Sequence, residues 1–291
     1  MTASNSNRNR AGAHAWLAQN LAAGAGNAAA HGLGIGRVLL ALAMIGLGVR
    51  GLAYGDFAGV WQRIPIGHLP AQAFFIYATA LVELLTGIGI LFARVAKIAG
   101  AVMTVFALLW VVLLKFPAIV AVPGMEAVWL GAGEIAVILA GAWTVFATLG
   151  DPRGRFASGR SGIRNARLLL VLALPTIGLS HFIYLPQTVQ LMPAWLPWHG
   201  GWAYLTGAGD IAAALGILFA VLPRLAATLE AAMLWVITLI IWLPVLLAHL
   251  HDNGAWSAFL MSSVIAAGAS AVADSYRGVG WTASGADARR A

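Results

Sequence analysis

The chain has no cysteine among its 291 residues. That excludes disulfides, thiol relays, cysteine-ligated iron–sulfur clusters and covalently attached haem, so any redox role has to borrow its electron carrier. Charge is nearly as scarce: 9% of residues are charged against 61% hydrophobic, and the mean hydropathy is +0.86. Soluble domains average about 25% charged residues, so this composition belongs in a bilayer. A compact apolar leader with a cleavage site is also missing. Residues 1–35 carry scattered basic residues and read as a retained cytoplasmic tail. "GLGIGRVLL" has the wrong spacing, and no preceding strand, for a phosphate loop; it reads as a small-residue entry to a helix.

What is present is a succession of apolar runs, each ending near Pro, Gly or a charge. A helix rising 1.5 Å per residue needs about 20 residues to cross roughly 30 Å of hydrocarbon. The runs predict an all-α polytopic membrane protein of eight transmembrane helices, at 36–54, 71–93, 97–116, 126–149, 167–185, 202–221, 225–248 and 255–274. Fourteen Lys and Arg, among them Arg8, Arg10, Arg94, Lys97, Arg160 and Arg224, fall on one side, and only Arg50, Arg63 and Lys115 on the other. Both termini are therefore expected in the cytoplasm. The net charge of +7 then faces anionic lipid, and membrane lipids rather than nucleic acid are the expected partners.

The sequence also matches itself at an offset of 127. Tyr77 aligns with Tyr204, Thr79 with Thr206, Glu83 with Asp210, "GILF" 89–92 with "GILF" 216–219, Pro117 with Pro244 and Trp129 with Trp256. "RVLLALAMIGLGVRGLAY" pairs with "RLLLVLALPTIGLSHFIY" once a three-residue gap is allowed. Two four-helix units follow, 36–149 and 167–274, joined by a basic linker 150–166 and ending in a cytoplasmic tail 275–291. Four is even, so the repeats run parallel through the membrane.

The unit, with its arginine-led first span, a loop ending in Pro, "VELLTGIGILF" and a short basic turn, resembles the DoxX-like family of bacterial four-helix membrane proteins. Glu83 stands at that family's acidic position, and Asp210 replaces it in the second copy. The resemblance implies a bacterial inner membrane and association with quinone-linked oxidoreductase complexes. It brings no catalytic centre that can be carried over.

Carboxyl groups in hydrocarbon cost several kcal/mol, so each intramembrane acid needs a reason. Glu83 shares a helix face with Thr79, Thr86 and Gly87, and Asp210 with Thr206 and Gly207. Either the carboxyls are protonated packing groups, or they form a polar centre for a quinone carbonyl or a proton. Glu134 is expected to pair with Lys115 or Arg50, or to line a cavity. Glu230, near the cytoplasmic end beside Arg224, is expected to snorkel. His68, His181, His199, His249 and His251 all lie at the outer ends of spans; "HLHD" reads as a solvated turn, and no metal site is expected. Trp61, Tyr77, Tyr184 and Tyr204 fit an interfacial belt. The proline-rich "GDFAGVWQRIPIGHLP" and "LPQTVQLMPAWLPWHG" are expected to form non-spanning lids.

The function expected from these readings is that of a membrane component of an oxidoreductase system. It would bind a quinone or lipid-like molecule non-covalently below the lids, alongside an oxidoreductase partner subunit. Glu83, Asp210, Glu134, Thr79, Thr206, Tyr77, Tyr204 and His181 are the candidate ligand or proton-relay residues. The competing classes are a proton- or cation-coupled transporter or channel, and a ligand-free scaffold.

Overall fold

The structure is a computed structural model that describes residues 14–22, 34–62 and 70–290. Arg8, Arg10, Arg63 and His68, with most of the N-terminal tail and part of the first lid, lie outside the described residues. The described chain is helical, and its long helices are α1 (Ile35–Tyr54), α2 (Gln72–Leu91), α3 (Ala96–Ala121), α4 (Glu126–Thr148), α5 (Gly159–Ile183), α6 (His199–Leu218), α7 (Pro223–Ala248) and α8 (Asn253–Asp274). Seven of them are long and apolar enough to cross a membrane. α6 equals α1 and α2 in length, at 20 residues, but glycine, tryptophan, tyrosine and Asp210 dilute it, so it is not among the seven.

Consecutive helices pack side by side from α1 to α8, α8 closes back onto α1, and α4 crosses α8 in the middle. Small residues set that crossing. A methyl group on Gly141 would lie 2.4 Å from Cα of Gly268, and one on Gly268 would lie 2.7 Å from the Val137 carbonyl oxygen. Contact this close gains dispersion energy across the whole interface, and in lipid, where no hydrophobic force drives helices together, such packing matters most.

Local structure recurs at one spacing. α2 and α6 begin and end 127 positions apart, and both start from a left-handed residue behind a proline: Ala71 (φ 54°) after Pro70 and Trp198 (φ 61°) after Pro197. α3 and α7 both contain a π-helical turn, at Val111–Lys115 and at Thr238–Trp242. The cause is local. Pro117 and Pro244 lack an N–H and crowd the preceding turn, so the backbone widens to i→i+5 pairing instead of breaking. The third span was expected to stop before Pro117; the helix continues through it to Ala121.

One further boundary differs from expectation. α5 begins at Gly159, so the latter part of the 150–166 linker is helix, and Arg167 lies within it. Arg167 is wholly buried: Nε donates to Ser275 Oγ (2.9 Å), Nη1 to the Leu21 carbonyl (2.9 Å) and Nη2 to the Ser275 carbonyl (2.6 Å), with the Tyr276 ring 3.5 Å away. Burial raises the Tyr276 hydroxyl above its usual pKa, against the smaller opposing pull of Arg167. The segments that meet at this arginine are therefore packed. Asn20 also donates to the Leu218 carbonyl (3.3 Å), and Gly285 N–H donates to the Ala220 carbonyl (2.9 Å).

Candidate functional site

A cavity of about 550 Å³ opens where the two halves of the chain meet beneath the second lid. Trp61, Ala127, Leu130 and Glu134 come from the first half, and the rest of the wall comes from α5, α7, α8 and the short helix Leu185–Gln190. Most of that wall is aliphatic or aromatic. Its polar groups are few: Glu134, Ser180, His181, Tyr184, Gln187, Thr188 and Ser262. This balance, with a broad apolar surface and a handful of convergent polar atoms, is what a small amphipathic ligand requires.

Each polar group has an identifiable anchor. Glu134, eight residues into α4, accepts from Trp61 Nε1 at 2.7 Å. Lys115, in the π turn of α3, is the cation whose field reaches Glu134. Glu134 therefore both lines a cavity and has Lys115 for its charged neighbour; Arg50 is engaged elsewhere. The Tyr184 hydroxyl accepts from the Ala127 N–H at 3.1 Å, which leaves its own proton for an acceptor in the cavity. Ser262 Oγ lies 2.7 Å from Thr238 Oγ1, which sits in the π turn of α7. π turns border a cavity in both halves, since Leu113 and Leu114 line a smaller space of about 290 Å³ with Gln62, Phe75 and Thr79.

Glu83 and Asp210, at matching points of α2 and α6, have different surroundings. Glu83 is 1% exposed, and its Oε1 accepts from the side-chain amide of Gln62. The same glutamine's oxygen accepts from the Ala58 N–H at 2.7 Å. Arg50 is a near charge for Glu83 and holds the lid itself, donating to the carbonyls of Asp56 (3.0 Å) and Phe57 (2.8 Å) and to Asn253 Oδ1 (2.5 Å). The hydroxyl of Thr86 bonds instead to the Val82 carbonyl at 2.6 Å. The partner of Glu83 is thus a lid residue, not the hydroxyl on its own helix face.

Asp210 is also 1% exposed, but it faces Glu230 of α7, with His181 Nε2 at 3.8 Å from Oδ2. The two carboxyls interact electrostatically, yet none of their four oxygens meets ordinary hydrogen-bond geometry with any partner among the described residues. Thr206 bonds to the carbonyls of Trp202 and Ala203 and leaves Asp210 alone. The snorkelling expected of Glu230 is overturned: it is 2% exposed, and Arg224 points away from it, to the carbonyls of Arg277 and Val279. A sequence signal existed, because Ala227, Glu230, Ala231 and Leu234 form one buried helical stripe.

Of the remaining candidates, Thr79 lines the smaller cavity, while Tyr77 and Tyr204 are exposed and Tyr204 stacks on Phe182 (centroids 5.8 Å apart). Sequence reasoning missed Gln62 and Trp61, both assigned to a lid or belt with no inward role. His249 and His251 sit in an exposed turn, and Asp252 caps α8 by accepting from Gly254 and Ala255 N–H. Among the described residues, no cluster of three His, Asp or Glu side chains is placed to hold a metal. No protein-family model matches the chain, and comparisons with curated proteins and with solved structures gave no significant match.

Proposed function

We propose that the chain is the membrane component of an oxidoreductase system and that it holds a quinone, or a similarly flat lipid-like molecule, in the cavity shared by its halves. The observation that carries this reading is the cavity itself: a mostly apolar slot under a lid, with the Tyr184 hydroxyl, His181 and the Trp61–Glu134 pair converging on it. A quinone offers two carbonyl acceptors on a flat apolar ring, and a hydroxyl and an imidazole are donors suited to them. Electron transfer would fall to a partner subunit.

The same proposal takes the chain as two fused DoxX-like units in an inner membrane, eight spans in all, with both termini cytoplasmic. The shared offset of α2 with α6 and of α3 with α7, and the paired left-handed starts and π turns, support the repeat. The fourteen-to-three division of basic residues supports the orientation.

The test is quenching of tryptophan fluorescence, with Trp61 and Trp242 in the cavity wall as reporters, by a short-tailed quinone added to the detergent-solubilised protein. Saturable quenching is expected. Tyr184→Phe should weaken it about tenfold, the equivalent of one lost hydrogen bond of roughly 1.4 kcal/mol. Linear, unsaturable quenching that Tyr184→Phe leaves unaltered would overturn the assignment.

A further inference from the structure

The second half holds three ionisable groups in contiguous positions that the cavity's ligand does not explain. His181 forms part of the shared cavity wall, Asp210 lies 3.8 Å behind it, and Glu230 faces Asp210 from α7. Glu230 in turn lines a second cavity, of about 580 Å³, between α6 and α7. That cavity extends from Gly209 and Met233 to Val221 and Leu222, at the turn joining the two helices, and Glu230 is its only polar side chain. α6 runs from the lid to that turn, so the α6–α7 cavity lies toward the end of the bundle away from the lid.

We propose that His181, Asp210 and Glu230 form a proton path through the second half, connecting the shared cavity at the lid end with the α6–α7 cavity at the other end. This goes beyond ligand binding and does not depend on what the shared cavity holds. Two carboxyls facing each other away from water cannot both stay ionised without a cation. The fixed cations nearby are committed elsewhere: Arg167 on α5 to Leu21 and Ser275, and Arg224 on α7 to Arg277 and Val279. On α8, Asp274 is paired with Arg277 at 2.8 Å, and on α4, Glu134 is held by Trp61. One proton shared by Asp210 and Glu230 gives one carboxylic acid and one carboxylate, a donor beside an acceptor.

The transfers balance without any covalent change. An imidazolium at His181 gives its Nε2 proton to Asp210, across a gap that a small side-chain rotation closes to hydrogen-bond reach. Glu230, the acid of the pair when Asp210 is the carboxylate, releases its own proton to water entering the α6–α7 cavity. Asp210 then passes its proton to the Glu230 carboxylate so formed, which restores the shared-proton pair, and His181 takes another proton from the shared cavity. One proton crosses per cycle. The first half has no such path: Met103 stands 127 positions before Glu230, and Gly51 aligns with His181.

The purified full-length chain, reconstituted into liposomes with an internal pH dye, tests this under a potassium diffusion potential set by valinomycin. Proton uptake at least tenfold above protein-free vesicles is expected. Asp210→Asn and Glu230→Gln should each return it to within twofold of that background, and Asp151→Asn, in the exposed linker, should leave it unchanged. Wild-type vesicles no faster than protein-free ones would overturn the path, as would a folded Asp210→Asn variant as fast as wild type, or a current carried by sodium instead of protons. Should the variants fold poorly, the wild-type protein decides, through dicyclohexylcarbodiimide, an apolar reagent that adds to buried carboxylic acids. Modification mapped to Glu230 with loss of uptake supports the path; full modification of Glu230 with uptake intact refutes it.

Discussion

The first half satisfies Glu83 with its own lid, whereas the second half leaves the matching Asp210, and Glu230 facing it, without ordinary hydrogen bonds beside open space. In the first, Gln62 reaches down from the lid to Glu83, and Arg50 clamps the lid backbone at Asp56 and Phe57. In the second, Ser180 aligns with Arg50, and the corresponding lid lies over a cavity of about 550 Å³, with Asp210 and Glu230 making no ordinary hydrogen bond among the described residues. The same helical frame therefore supports two energetic states. A completed polar network rigidifies its surroundings, while incomplete buried polar groups carry a cost of about 1 to 3 kcal/mol each and are kept where they have work to do. The contrast sets a locked acid at Glu83 against an unlocked pair at Asp210 and Glu230.

The largest expected effect is all-or-none and tests whether the halves are related as parallel copies at all. Gly124, between α3 and α4, and His251, between α7 and α8, are exposed residues 127 positions apart. Single cysteines there should label with an impermeant maleimide from the same side of the membrane. Labelling from opposite sides would mean an inverted relation between the halves, and the comparison would have to be abandoned.

The arginines near the start of the first helix of each half, Arg37 and Arg167, give the next largest effect. Arg167 makes at least three hydrogen bonds while fully buried, whereas among the described residues the Arg37 side chain makes one, from Nε to the Ile90 carbonyl at 2.6 Å, and is half-buried. Replacing Arg167 with Met strands the Leu21 and Ser275 carbonyls and should cost about 3 kcal/mol, against about 1 kcal/mol for Arg37→Met. Thermal unfolding in mild detergent measures both. Equal losses would show that the terminal segments packed on Arg167 add no stability.

Much of the frame was legible because lipid allows few solutions: apolar runs of about 20 residues must be helices, and the 127-residue offset in the sequence recurs in helix ends and π turns. The limits lay where neighbours decide. Pro117 looks like a stop signal, yet the helix widens past it, because pairing in a wider turn costs less in lipid than exposed backbone groups do. Glu230 looked like a snorkelling side chain because Arg224 is near in sequence; only the packing of α6 on α7 turns it toward Asp210. Glu83 and Asp210 were legible as a matched pair, but their opposite surroundings were not. Those depend on Gln62, a lid residue in no regular pattern, and on His181, whose link to α6 is purely tertiary.

The smallest effect is the one that separates the halves by sign. Glu83→Ala removes the acceptor of the Gln62 amide, leaves that donor buried and loosens a lid that also holds Ala58, so a loss of about 2 kcal/mol is expected. Asp210→Ala removes a buried carboxyl that meets no ordinary hydrogen-bond geometry among the described residues, so stability in detergent should hold steady or rise by about 1 kcal/mol, offset in part by the small void. Matched unfolding curves for the two variants decide the matter. If Asp210→Ala falls as far as Glu83→Ala, then Asp210 is tied into the fold as firmly as its counterpart, and the second half loses its claim to be the working half. If the signs differ, the protein tolerates a destabilising carboxyl pair at Asp210 and Glu230, and selection for what those carboxyls do is the force that keeps them there.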